Sequence, residues 1–154
     1  MNVADAVAVG LIIVFIPAGW AMGAVRSFAA FMGVVAAFRL LSGFTDRPQG
    51  TYVLLFIAIA AGFTAVGFIL YGATRFHPID VLEGVFGALL GLCLGWGLAR
   101  FVFHVYILYQ PDAPFTAAIY SSAFGMDVYY VSPIRDLLRL GDPLMNPKIF
   151  KESR

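Results

Sequence analysis

Four long apolar runs follow one another in the first 109 residues, separated by short polar stretches. Each run is long enough to cross a bilayer as a helix, which takes about 20 residues. Arg26 and Ser27 interrupt the first two runs for barely one turn, which indicates a tight helical hairpin. The pattern predicts transmembrane helices over residues 6–25, 28–44, 52–74 and 81–108.

The tail, residues 110–154, is different in character. Pro111 and Pro114 follow the last apolar run and end its helix. Residues 115–131 are rich in aromatic side chains but are interrupted by two serines and a glycine. We expect that segment not to span the membrane and to lie at the interface or against the spans.

A short amphipathic helix is predicted further along the tail. Ser132 can cap it, and Pro133 suits its first position. Its apolar face would consist of Ile134, Leu137 and Leu138, and its basic edge of Arg135 and Arg139. Such an edge suits lipid headgroups or an acidic partner. Because four apolar spans offer little polar surface, we expect the tail to pack on another subunit.

Glycines in the fourth predicted helix recur at a spacing that places them on one face. They are Gly84, Gly87, Gly91 and Gly95, while Gly19 and Gly23 lie four residues apart in the first helix. Small residues let helix backbones approach closely, which is a main source of tight packing in lipid. We expect these glycines to pack against another helix of the chain. The alternative is a groove that holds a ligand or a partner protein.

Composition places the chain among membrane proteins. It is 61% hydrophobic and 12% charged, against about 25% charged in a typical soluble domain. The fold class predicted is therefore all-α, a polytopic protein with four transmembrane helices and a C-terminal tail, in contact with the lipid bilayer. The formal net charge of +1 argues against a nucleic-acid partner.

No enzyme signature is present in the sequence. It lacks a metal-spaced cluster of His and Cys, a phosphate-binding glycine loop followed by Lys, and a paired nucleophile and base. We therefore expect no catalytic residue and no metal.

Two polar features sit near the ends of the predicted spans. Asn2 and Asp5, like Asp80 and Glu83, are three residues apart and are spaced for capping a helix start. Near the far end of the fourth span, Arg100 and His104 lie one helical turn apart and suit an interface with headgroups or a partner.

The histidines bear on possible cofactors. His77 and His104 are the only two, and about 40 Å of helix would separate them at 1.5 Å per residue, too far to share one group. A haem or chlorophyll bound by His104 alone is the remaining alternative. We expect no cofactor.

Some of these residues resemble the colicin V production protein family of small bacterial inner-membrane proteins. Members have four spans, an Asp near the start, an RGxxRE-like turn between the first two spans and an FGxLRG-like segment in the fourth. The residues that match are Asp5, Gly23, Arg26, Phe86, Gly87, Leu89 and Gly91. The chain departs from the pattern at Met22, Ser27 and Leu90, where the family has charged residues. The resemblance covers residues 1–109.

The resemblance implies a multi-pass protein of the bacterial cytoplasmic membrane with a role in bacteriocin production or export, or in envelope upkeep. The missing charges favour a relative that has become a structural subunit. Our first hypothesis is thus a non-enzymatic interaction or scaffold subunit of a larger membrane complex, for example a respiratory or photosynthetic one. A family-like export factor is the alternative, and a small transporter or channel component is a second. Positive charges near the spans almost balance, which leaves the orientation open.

Overall fold

The computed structural model describes residues 2–73 and 80–122, together with Gly125 and Val128. All regular elements in this part of the chain are helices: α1 (Val3–Met22), α2 (Ala24–Leu41), α3 (Gln49–Ala73), α4 (Asp80–Tyr109) and α5 (Pro114–Ser121). The first four are long and apolar enough to cross a membrane. The predicted all-α fold with four spans is therefore confirmed.

The turn between α1 and α2 is a single residue, Gly23, and the predicted break at Arg26 and Ser27 is wrong. Gly23 has a φ of 78°, a conformation that favours glycine. Both polar residues instead belong to the first turn of α2. The buried Ser27 hydroxyl donates a hydrogen bond of 3.1 Å to the carbonyl of Gly19, so its polar group is satisfied within the hairpin. Consequently α1 and α2 begin and end earlier than predicted.

The four long helices are arranged in the order α1, α4, α2, α3. The main contacts join α1 to α4, α4 to α2 and α2 to α3, while α1 contacts α2 only slightly and α3 hardly touches α4. Helix α4 therefore separates the two members of the first hairpin along most of their length. The outer helices, α1 and α3, are also the two with the smallest buried share.

The core of the α2, α3 and α4 group is aromatic. Phe38 packs edge-on against Phe56 and Phe101, with ring centroids 5.4 and 6.1 Å apart. Tyr52 stacks on Phe101 from the start of α3. Close backbone contact also occurs here, because a Cβ added at Gly33 would lie 2.8 Å from the Cβ of Phe63. Tyr52 and Phe56 are the large side chains of α3 that this core buries.

Helix α5 packs on α1 and α4. Pro114 occupies its first turn, and the Thr116 hydroxyl donates a 2.7 Å hydrogen bond to the carbonyl of Gln110, which fixes the corner between α4 and α5. Ile119 is fully buried in a second apolar cluster with Ala4, Ala8, Ala99, Phe103 and Val128. This first part of the tail thus lies against the chain's own spans, and the predicted need for another subunit does not apply to it.

Candidate functional site

The glycine face of α4 lies against α1 in antiparallel register. A Cβ at Gly87 would collide with the carbonyl oxygen of Gly19, and one at Gly91 would lie 3.0 Å from the Gly19 Cα. At Gly95 it would come within 2.8 Å of the Ile12 Cα. These atoms belong to the backbone and cannot move aside as a side chain can. Gly87, Gly91 and Gly95 therefore line no ligand groove; they form the contact between α1 and α4.

A polar pocket lies at the end of the bundle that holds the α1–α2 turn. Its volume is about 250 Å³, and its lining residues are Trp20, Ala21, Met22, Gly23, Arg26, Glu83 and Gly84. The lining comes from three helix ends and the intervening turn, so the pocket lies at the level where a spanning helix meets the membrane surface. Trp20 is half exposed, and its ring covers Gly84.

Among the described residues that line the pocket, one side chain is acidic and one is basic. Glu83 lies over the turn, with its Oε1 atom 2.7 Å from the position of a Cβ on Gly23. That oxygen is buried and has no hydrogen-bond partner among the described residues. The Arg26 guanidinium lies 4.6 Å from the centre of the Phe68 ring, a cation–π contact with α3. A buried carboxylate oxygen without a donor is costly, and a donor in the pocket would remove that cost.

Arg100 and His104 lie away from this pocket, in the aromatic core. The Arg100 guanidinium is 5.8 Å from the centre of the Phe38 ring. The His104 ring centroid is 6.4 Å from that of Phe38 and 6.1 Å from that of Tyr52. Both residues are half-buried, and their predicted contact with headgroups or a partner stays a prediction.

We predict that purified protein shows no haem or chlorophyll absorption band and that His104→Ala leaves its visible spectrum unchanged. The physical reason is that axial ligation needs room for a wide macrocycle at one ring nitrogen, and the half-buried imidazole is packed beside the rings of Phe38 and Tyr52 inside the bundle. Absorption spectroscopy of both proteins, prepared in mild detergent, makes the comparison. A visible band that disappears in His104→Ala would show that the histidine is an axial ligand.

A second polar junction ties α5 to the start of α1, at the opposite end of the bundle. Asp5 accepts hydrogen bonds from the Ser122 hydroxyl and from the backbone N–H of Asn2, the latter at 3.0 Å. The Asn2 side-chain amide donates to the carbonyl of Ala118 at 2.6 Å and to the Ser121 hydroxyl at 2.9 Å. Asp5 thus has the predicted capping position, and in addition it holds the tail.

One face of α3 is left uncovered. Among residues 49–70 only Tyr52, Phe56 and Gly67 are buried. Ala58, Gly62 and Ala65 are exposed, and a Cβ at Gly62 would meet no atom within 4 Å. Gly67, by contrast, faces the side chain of Ala29 on α2. We call Ala58, Gly62 and Ala65 the outer stripe of α3.

The structure brings Gly19 together with the α4 glycines and places Gly23 beneath Glu83. Sequence reasoning missed the pairing of Glu83 with the α1–α2 turn and the role of Ser122. The capping-like spacing of Asp80 and Glu83 was a signal for a carboxylate at this helix end, but it gave no hint of the turn that lies beneath it. The remaining predicted residues, Ile134, Arg135, Leu137, Leu138 and Arg139, lie outside the described residues, as does the predicted helix that contains them.

No family model, no curated protein and no solved structure matches the chain. The resemblance to the colicin V production family therefore stays a prediction.

Proposed function

We propose that this protein is a non-enzymatic interaction subunit of a larger membrane assembly and that the outer stripe of α3 is its contact surface. The observation that supports this most is the contrast between two sets of small residues. Gly87, Gly91 and Gly95 contact the backbone of α1. Ala58, Gly62 and Ala65 also recur three and four residues apart, but they face away from the bundle.

The physical basis is the packing of helices in lipid. An apolar side chain gains little by leaving lipid for protein, so small residues that allow close backbone approach are what favour helix association. Large exposed side chains border the outer stripe on both sides at helical spacing: Leu55 and Val66 on one side, Ile57 and Phe68 on the other. Together they form a shallow groove between ridges, a shape that fits another helix.

The family-like role is the alternative proposal. It is supported by the residues that resemble the colicin V production family, of which Gly23 and Arg26 line the same pocket as Gly84 and Glu83. In that case the chain would act in bacteriocin export or envelope upkeep through this end of the bundle. Both proposals place the protein in a bacterial cytoplasmic membrane, which the resemblance implies.

We expect Gly62→Leu to remove the protein from its assembly while the four spans stay folded. The added side chain would fill the groove, and overpacking costs about 1 to 3 kcal/mol, equivalent to a loss of association of about fivefold or more. Gentle detergent extraction followed by blue-native electrophoresis measures the share of the chain that migrates with a large complex.

Gly10→Leu is the matched control, because Gly10 is an exposed glycine on α1 with no atom within 4 Å of an added Cβ. It should leave migration and thermal stability unchanged. If the wild-type chain migrates only as a free small species, or if Gly62→Leu migrates as the wild type does, the interaction-subunit proposal is wrong. The family-like role would then be preferred.

A further inference from the structure

An apolar groove adjoins the polar pocket at the α1–α2 turn. It has a volume of about 280 Å³ and is lined by residues from all four long helices. Met22 lines both the pocket and the groove. The two cavities therefore adjoin at Met22, and together they offer a charged part at the helix ends and an apolar part inside the span.

One line of residues on α2 passes through both parts. Arg26, Ala30 and Val34 are four residues apart and share a helix face. Arg26 lines the polar pocket, while Ala30 and Val34 line the groove. The distance from Arg26 to Val34 along the helix is about 12 Å at 1.5 Å per residue, which approaches the depth of one leaflet of a hydrocarbon core about 30 Å thick.

We propose that this site binds a phospholipid with a primary-amine, zwitterionic headgroup, of the phosphoethanolamine type. The headgroup phosphate is placed at Arg26, the ammonium at Glu83, and an acyl chain in the groove below Met22. A polar compartment next to an apolar one favours an amphiphile over a soluble ligand. The presence of both charges in one pocket selects a headgroup that also carries both.

The Glu83 carboxylate determines which zwitterionic headgroup fits. Its buried Oε1 has no donor among the described residues, and a primary ammonium brings three N–H donors. A choline headgroup has the same charge but no N–H, so it would leave this oxygen without a hydrogen bond. A glycerol headgroup has hydroxyl donors but no positive charge to match the carboxylate. Arg26 presents a guanidinium, the side chain best suited to a phosphate.

The test is a lipid titration of the purified full-length chain, followed by native mass spectrometry. Phosphatidylethanolamine, phosphatidylcholine and phosphatidylglycerol with identical acyl chains are compared at equal concentration. We expect the ethanolamine lipid to be retained about fivefold better than either other lipid, the factor typical of one partly exposed charged contact. Equal retention of the three lipids in the wild-type protein would overturn the proposal without any variant.

Variants then assign the contacts. Glu83→Gln should reduce the preference for the ethanolamine lipid to about the level of the choline lipid, while Arg26→Gln should weaken retention of all three. Asp46→Asn and Arg47→Gln, in the exposed loop between α2 and α3, are the matched controls and should change nothing.

Ala61→Phe, which narrows the groove, should lower retention of every lipid, whereas Leu55→Phe, outside the groove, should not. A preference that persists in Glu83→Gln would show that the amine is not held there.

Discussion

Replacing Gly91 with leucine is expected to push α1 away from α4 and to lower the unfolding temperature of the protein. A side chain at this position would collide with the carbonyl oxygen of Phe15 and lie 3.0 Å from the Gly19 Cα. Overpacking usually costs about 1 to 3 kcal/mol, and here the obstacle is backbone on the facing helix. We therefore expect a cost at the upper end of that range. Thermal unfolding of the protein in detergent, followed by its intrinsic fluorescence, measures the change.

Two further substitutions make this prediction specific. Gly91→Ala should destabilise the protein less than Gly91→Leu, because its single methyl group requires a smaller separation of the helices. Gly10→Leu adds the same side chain at an open position of α1 and should change stability little. If Gly91→Leu unfolds at the same temperature as Gly10→Leu, the close contact between α1 and α4 does not exist as described.

The glycine spacing of α4 predicted a close helix contact from the sequence, because a row of small residues on a membrane helix favours close packing with another helix. The identity of the facing helix was not predictable in the same way. Neighbours in the chain usually pack together, yet α4 lies between α1 and α2 along most of their length. The order of the helices depends on which small residues of one helix contact those of another. The periodicity within a single helix does not contain that information.

The sequence predicted the tight turn at the wrong residues for a related reason. Polarity pointed to Arg26 and Ser27, since charged groups usually mark the end of a span. The hairpin instead turns at Gly23, where positive φ is allowed, and it satisfies Ser27 through the Gly19 carbonyl. Arg26 remains at the membrane surface because it lies in the first turn of α2. Conformational freedom of the backbone, more than polarity, therefore decided where the chain turns.

The residues of the two polar sites were unpredictable for the same reason. Arg26 and Glu83 are 57 residues apart in the sequence and meet in one pocket because α4 lies against α1. Asp5 and Ser122 meet because α5 folds back onto the same pair of helices. A single sequence shows which side chains can carry charge or donate a hydrogen bond. It does not show which of them share a pocket when the helix order is unknown.

Asp5→Ala is expected to release α5 from the bundle. The substitution removes the acceptor of the Ser122 hydroxyl and of the Asn2 backbone N–H. Hydrogen bonds to a charged group are stronger than those between neutral groups, so we expect α5 to detach more readily even though the junction is only partly buried. Ile119 is buried among Ala4, Ala8 and Phe103, and this apolar contact also holds α5 on the bundle.

Cysteine labelling measures the release directly. In a Cys93→Ser background, Ile119→Cys should be protected from a maleimide reagent, because Ile119 is 0% exposed, whereas Tyr120→Cys should react readily, because Tyr120 is 53% exposed. Adding Asp5→Ala should raise the labelling rate at position 119 by about tenfold and leave that at position 120 unchanged. Ser122→Ala should produce a smaller increase in the same direction, since it removes the Ser122 donor but leaves the Asn2 backbone N–H on Asp5. Labelling at position 119 that is as slow with Asp5→Ala as without it would mean that apolar burial alone holds α5, and that the carboxylate serves only to cap α1.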